Sequence, residues 1–383
     1  MTGAFAFEVI KESGCGARLG RIHTPRGIIN TPVFMPVATQ GTVKAITREQ
    51  LLEMDAEILL ANAYHLYIRP GMEVIGRAGG LHNFMAWERP LLTDSGGYQM
   101  FSLSALREVS EEGVTFRSPV DGGEHFLSPE AAIEIQHGLD AEIIMSFDEP
   151  VAYGASQGEA EAATARSDRW ARRGKARHDA LGGRALFGIV QGGFWPELRE
   201  ESARRITELG FDGYAIGGLS VGEPKEVTFA LVEQTAQFLP QAAPRYLMGV
   251  GLPSDIIRAV VRGVDMFDCV LPTRLGRNGT ALTRFGKLNL RNHKFIDDFG
   301  PLDPDCDCGV CRRYSRAYLR HLHKAKEILA AILVCYHNLY LYGKLMRDIR
   351  TALAEGKLEE LYREFEARES LQSGEEFAAG DAG

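Results

Sequence analysis

The sequence predicts an α/β fold, a closed (β/α)8 TIM barrel with N-terminal β-hairpins and a metal-binding insert after the eighth strand. Three observations carry that expectation. Eight short apolar runs recur along the chain: TPVFMPVA (31–38), EILLAN (57–62), RPLLTDS (89–95), AEIIMSFDE (141–149), ALFGIVQGG (185–193), GYAIGGL (213–219), RYLMGVG (245–251) and MFDCVL (266–271). The runs show little polar alternation, as strands covered on both faces do. Amphipathic stretches separate them, and strands alternating with helices make a parallel sheet. A doubly wound open sheet is the rival on this pattern; eight units favour closure.

Taken in order, the first 30 or so residues read as β-hairpins with glycine-rich turns, GCGARLG and HTPRG. TREQLLEMDA is the first helical stretch. SPEAAIEIQHGL follows later, with Ser128 as N-cap and Pro129 at the first helical position. EAEAATARSDRWARRGKARH, PELREESARRITELG and PSDIIRAVVRG complete the helical set. Two insertions interrupt the alternation. VTFRSPVDGGEHFLS (114–128) reads as a hairpin with a DGG turn. The other, 272–325, holds basic residues and clustered cysteines. The expected organisation is hairpins and barrel body over 1–271, and a basic, zinc-binding insert with the start of the closing helix over 272–340. C-terminal helices follow over 341–370, and a small, acidic, frayed tail over 371–383.

The chain has 383 residues, 45% of them hydrophobic, enough for a substantial core. Its net charge of −8 argues against a nucleic-acid partner until its distribution is read. Residues 272–350 hold 15 Lys and Arg against 7 Asp and Glu, so a basic segment sits on an acidic body. Such a segment is a local electrostatic footprint for a polyanion, although solvated helix faces give the same count. No run approaches the ~18–20 apolar residues of a membrane span, and the N-terminus lacks a secretory pattern. Six cysteines, three of them clustered, suggest metal rather than a disulfide framework.

In barrel enzymes the chemistry gathers at the C-terminal strand ends. Here those ends carry Asn62, Asp94, Asp148, Gln191, Gly217 with Gly218, Gly249 and Asp268. Any one of these alone reads as a turn or cap residue; together they line a mouth. Carboxylates accept from N–H donors, the amide does both, and glycine backbone lets a ligand approach closely. That inventory suits a planar heterocycle with mixed donors and acceptors, such as a guanine. Tyr98 and Met248 lie near enough to sandwich the ring. Two acids can also divide labour as nucleophile and acid/base, as in retaining glycoside cleavage. The stretch FDCVLPTRLGRNG (267–279) sets Asp268 in an apolar run, with Pro272 stopping the strand before a loop that carries Arg274 and Arg277.

CDCGVC (306–311) gives C-x-C-x2-C, and thiolates with imidazole at close spacing favour a closed, structural tetrahedral zinc site. Cys306, Cys308 and Cys311 supply three ligands. By spacing, His321, His323, Cys335 and His337 all compete for the fourth place. The remaining histidines, such as His23, His65, His125 and His137, are isolated and read as structural. Cys15, Cys269 and Cys335 read as small packing residues.

TDSGGYQMFSL, FDEP, GIVQGG, IGGLSVGE, YLMGVG, FDCVLPTRLGRNG and CDCGVC with the later HN resemble, in order and over residues 30–340 or so, the bacterial tRNA-guanine transglycosylases (queuine tRNA-ribosyltransferases). The resemblance implies exchange of guanine at the tRNA wobble position for a 7-deazaguanine base. It implies Asp268 as nucleophile and Asp94 as general acid/base that also touches the base. It implies Asp148, Gln191, Gly218 and Leu219 as the base-recognition set, Tyr98 and Met248 as the stacking pair, and Glu223 as the acid orienting the pocket loop. It selects His337 as the fourth zinc ligand and assigns Arg274 and Arg277 to the anticodon backbone. It further implies a cytoplasmic homodimer, with Phe84, Tyr314, Tyr318 and His321 in an aromatic interface cluster.

One position departs from the pattern. The family's usual FDEC reads FDEP here, with Pro150 in place of a pocket-lining cysteine. Val221 is the bulky residue of pockets that take the small aminomethyl precursor base, whereas Pro150 leaves queuine open. Three other readings compete. They are an archaeosine-type transglycosylase, which carries an extra C-terminal domain, a non-catalytic RNA-binding subunit, which lacks the two aspartates, and a carbohydrate-acting barrel glycosidase.

Overall fold

The computed structural model describes residues 5–103, 107–120 and 122–367. The tail predicted over 371–383, and Asp121 of the DGG turn, lie outside them. The chain divides into two compact units, one formed by Met1–Thr42, Glu57–Val250 and Ala259–Asp268, the other by Val43–Ala56, Gly251–Arg258 and Cys269–Gly383.

The first unit opens with an antiparallel meander, β1 (Ala6–Glu12), β2 (Arg18–Thr24) and β3 (Gly27–Thr31). The barrel strands are β4 (Val33–Ala38), β5 (Leu59–Asn62), β6 (Leu91–Asp94), β10 (Ile143–Met145), β11 (Ala185–Val190), β12 (Gly213–Ile216), β13 (Arg245–Leu247) and β14 (Met266–Cys269). They close in the order β4-β5-β6-β10-β11-β12-β13-β14 and back to β4. All eight coincide with the predicted apolar runs. Between β6 and β10 lies a three-stranded sheet of β7 (Arg107–Val109), β8 (Val114–Arg117) and β9 (Glu124–Leu127), one strand more than the predicted hairpin.

Side chains alternate along each strand, so every second residue fills the barrel: Val33, Met35 and Val37 from β4, Ile143 and Met145 from β10, Ala185, Phe187 and Ile189 from β11. Ile22, Ile29, Phe5 and Phe7 of the N-terminal segment join this cluster. Arg18 on β2 makes a buried ion pair with Asp265, the residue before β14, and donates to the carbonyls of Gln241 and Ala243, just before β13. The meander therefore closes the end at which strands begin, and the opposite end stays available for chemistry.

Two helices pack on the barrel strands. Ser128 accepts from the Ala131 N–H as the N-cap of Pro129–Leu139, with Pro129 in its first turn as expected. Pro196–Glu208 carries Arg199 and Ser202, both fully buried under the barrel's C-terminal end.

The second unit contains the helix Leu271–Arg277, the hairpin of β15 (Thr280–Thr283) and β16 (Gly286–Asn289), and the helices Arg316–Lys324 and Ile328–Glu355. The predicted loop after Pro272 is thus a helix. Proline is compatible with a first turn because its missing N–H has no intrahelical acceptor there. Asn338 ties this unit together by donating to the carbonyls of Pro272 (2.9 Å) and Thr280 (3.1 Å) and accepting from Leu282 N–H (2.8 Å). Ile328–Glu355 is long and apolar enough to cross a membrane by length and composition, which corrects the expectation that no segment approaches that limit. Of its most apolar window, 61% is buried within the fold, the pattern of a core helix.

Candidate active site and metal centre

Three carboxylates stand at the strand ends of the first unit, each with its own donors. Asp94 ends β6 directly beside Asn62 of β5 in the barrel register. Its Oδ2 accepts from the Asn62 amide and from Gln99 Nε2 (2.8 Å), and its Oδ1 from Ala63 N–H (2.9 Å). Asp148 lies beyond β10, and its Oδ2 accepts from Gln191 Nε2 at 2.6 Å. Gly97 packs against it so closely that a Cβ there would stand 2.7 Å from Asp148 O and 2.8 Å from Oδ1. Asp268, on β14, accepts at Oδ1 from the Tyr246 hydroxyl (2.6 Å) and Gly249 N–H (2.7 Å). Tyr246 sits on the neighbouring strand β13, so barrel closure brings this donor to the acid.

Burial raises all three carboxyls, opposed by these same donors. Asp94 and Asp148 are pushed up to about 6, the charge of Asp268 adding to the effect on Asp94. A carboxyl whose folded pKa lies above its unfolded value costs stability when ionised. The cost is absent below the ordinary 3.8 and complete above about 6. Asp148→Asn is therefore expected to stabilise the protein by on the order of 3 kcal/mol at neutral pH, and the gain to fade as pH falls toward about 4. Thermal denaturation of both proteins across that range is the check. A gain independent of pH would contradict it.

The amide of Gln191 is anchored from behind, its backbone N–H donating to Ser202 Oγ, which in turn donates to Asp168 Oδ1. Gln191 Oε1 is buried and accepts nothing, and no acceptor among the described residues takes the Gly218 N–H. Unsatisfied polar groups of this kind, gathered in one place, mark a position for a ligand. Glu223 accepts from the N–H groups of Ser220 and Val221 and from the Thr228 hydroxyl, which sets the 218–223 loop. Burial works to raise its carboxyl, and those donors outweigh it, leaving it below the ordinary range.

Tyr98 is well exposed, whereas Met248 is half-buried against the barrel core. Leu219 is buried, and Pro150 and Val221 are partly exposed. Sequence reasoning gave no role to Ser95, Gln99, Arg199 or Tyr246, and treated Asn62 only as a strand end. Ser95, Gln99 and Tyr246 stand inside the motifs quoted above, and their polarity next to an aspartate or at a strand end was the available signal.

In the second unit the Sγ atoms of Cys306, Cys308 and Cys311 and a His337 ring nitrogen all lie within 4.8 Å of one another. Nδ1 of His337 stands 3.8, 3.4 and 3.4 Å from the three sulfurs. Zinc bonded tetrahedrally to S and N at its usual lengths separates such atoms by roughly 3.6 Å, so the group fits one metal ion. His337 Nε2 donates to the Leu282 carbonyl at 2.8 Å, which leaves Nδ1 as the free lone pair. Cys335 instead donates to Thr273 O (3.2 Å), and neither it nor His321 or His323 belongs to the group.

Arg274 and Arg277 are exposed on the helix Leu271–Arg277, and neither joins an ion pair among the described residues. Tyr314 and Tyr318 stack with centroids 5.6 Å apart, and Tyr318 is exposed, as is Phe84 in the first unit.

A parallel eight-stranded barrel with carboxylates at its strand ends, followed by a Cys3His group, has the layout of a barrel enzyme with a separate metal-holding segment. The chain belongs to the queuine tRNA-ribosyltransferase family, whose model, described as "Queuine tRNA-ribosyltransferase", matches residues 13–370. Curated relatives called queuine tRNA-ribosyltransferase include that of Moorella thermoacetica, 57% identical over 369 residues, covering 95% of this chain and 98% of the relative. That of Caldanaerobacter subterraneus subsp. tengcongensis is 56% identical over 363 residues, covering 94% and 97%.

Proposed function

We propose that this enzyme exchanges guanine at the wobble position of tRNAs with G-U-N anticodons for a 7-deazaguanine base, a step in queuosine modification. The observation that carries the reading is the division of the mouth into separately held carboxylates. Asp268 is fixed by Tyr246 and Gly249, Asp94 by Asn62, Ala63 and Gln99, and Asp148 by Gln191.

The reaction is a double displacement. Asp268 attacks the ribose anomeric carbon, the glycosidic C–N bond breaks, and a glycosyl ester forms on Asp268. Asp94 protonates the departing guanine. It then accepts the proton of the incoming base, whose nitrogen displaces Asp268 from the face guanine vacated. Two inversions retain configuration. Asp148 accepts from the base's ring and amino N–H groups, while Gln191, Gly218 and Leu219 complete the recognition edge. Tyr98 and Met248 stack on its two faces, and Glu223 holds the loop. Arg274 and Arg277 grip anticodon phosphates. Cys306, Cys308, Cys311 and His337 hold one structural Zn2+ per subunit, with no position left for water. The enzyme works in the cytoplasm as a homodimer through Phe84, Tyr314, Tyr318 and His321.

The test is incorporation of labelled guanine into tRNA. Label is expected in tRNA with wobble guanosine and absent when that nucleotide is adenosine. Incorporation regardless of that nucleotide would overturn the reading. Competition between the aminomethyl precursor base and queuine measures the choice at Pro150 and Val221. The expected result is preference for the precursor, because Val221 narrows the pocket.

A further inference from the structure

Arg199 is fully buried, yet no carboxylate bonds it. Its Nε donates to Gly193 O at 2.7 Å and its Nη2 to Gly217 O at 3.0 Å, while Nη1 has no partner among the described residues. Burial works against its charge, lowering the guanidinium to about 9, and Glu223 supports it. It therefore remains a cation at neutral pH, and an unpaired buried cation is expensive. A structural role alone, bonding two carbonyls, is one that a neutral amide serves at lower cost.

The carbonyls it holds belong to both base-recognition loops. Gly193 lies two residues after Gln191, and Gly192 packs so tightly on Arg199 that a Cβ there would stand 2.6 Å from Arg199 N. Gly217 O and Gly218 N are parts of a single peptide group. In a trans peptide the C=O and N–H point opposite ways, so a donor fixed on Gly217 O aims the Gly218 N–H away from Arg199. That N–H has no acceptor among the described residues. Gly218 has φ +68°, and a Cβ on it would meet Gln191 Oε1 at 2.4 Å, so Gly218 and the Gln191 amide lie against one another.

We propose that Arg199 is a positioning residue that polarises the Gly217–Gly218 peptide, strengthening the Gly218 N–H as a donor to the purine's exocyclic oxygen. This rests on the base-exchange reading above and deepens it. A base that leaves or attacks through its ring nitrogen carries excess electron density, part of it on that oxygen. A fixed cation behind the peptide strengthens the bond as that density grows. It acts through the peptide and never touches the base.

The test compares binding of guanine with that of 2-aminopurine, which lacks the oxygen, to the purified enzyme. In Arg199→Gln, guanine is expected to bind about tenfold more weakly or worse, and 2-aminopurine less than about twofold more weakly. Equal losses for both ligands, or none, would overturn the proposal. Arg199→Lys keeps the cation without the fork and guards against a misfolded glutamine variant. Its guanine preference is expected to stay within about threefold of the wild type, and a loss as large as that of Arg199→Gln would refute the role of the charge. Asp148→Asn, measured alongside, separates the two readings. If it leaves guanine binding unchanged, the base-site assignment itself fails. If it weakens guanine while Arg199→Gln does not, only the role of Arg199 fails.

Discussion

Asp268→Asn is expected to abolish the covalent RNA adduct and to lower base exchange by a factor on the order of 10^4 or more. An amide has the shape of the carboxylate without its nucleophilic charge, and the two donors on Oδ1, Tyr246 and Gly249, keep an acceptor in its oxygen, though a weaker one. The fold should therefore survive. Burial raises the Asp268 carboxyl, so the neutral side chain is expected to melt no lower than the parent at neutral pH. Labelled tRNA incubated with the variant and run on a denaturing gel gives the answer. An adduct persisting in Asp268→Asn would remove this residue from the role of nucleophile. Tyr246→Phe supplies the graded comparison. It deletes one donor to the same oxygen, so exchange should fall by about tenfold while the adduct still forms.

Cys308→Ser is expected to lower zinc from about one ion per chain to near none and to unfold the second unit at a lower temperature. Cys308 is fully buried, and its sulfur stands 3.4 Å from His337 Nδ1. A serine hydroxyl stays protonated at neutral pH and is a poor ligand where a thiolate is strong. Structural zinc contributes on the order of 10 kcal/mol to folding in small domains, so losing one ligand is felt across the unit. Metal analysis and thermal denaturation of both proteins provide the measurement, and full zinc retention by the variant would refute the ligand set. Cys335→Ser is the control. Its sulfur bonds Thr273 O outside the group, so its zinc content should equal the parent's.

Much of this architecture is legible in the chain itself. Strands buried on both faces must be apolar throughout, so all eight barrel strands announced themselves as runs, from TPVFMPVA to MFDCVL. Helix starts were legible where a cap is local, as at Ser128 and Pro129. The helix after Pro272 was not, because proline reads equally as a strand stop and as a first-turn residue. β7 was missed since three residues, REV, carry too little pattern to separate a strand from a loop. Ile328–Glu355 shows the converse, as its apolar length says nothing about whether lipid or protein surrounds it.

The site divides along the same line. The sequence by itself determined which residues stand at the strand ends, because strand register is periodic, and which three cysteines cluster, because C-x-C-x2-C is local. Tertiary structure alone decided what each of them touches. Asn62 reaches Asp94 because β5 and β6 are neighbours in register, Gln191 reaches Asp148 across 43 residues, and Tyr246 reaches Asp268 across β13 and β14. His337 prevailed over its competitors because the fold sets its ring within 4.8 Å of the three sulfurs, with Nε2 donating to Leu282 O. Arg199 was invisible on a helix that reads as amphipathic, since its role lies in carbonyls 6 and 18 residues away. Periodicity reports which face a residue occupies; hydrogen-bond partners are set by how the barrel closes, and no local pattern encodes that.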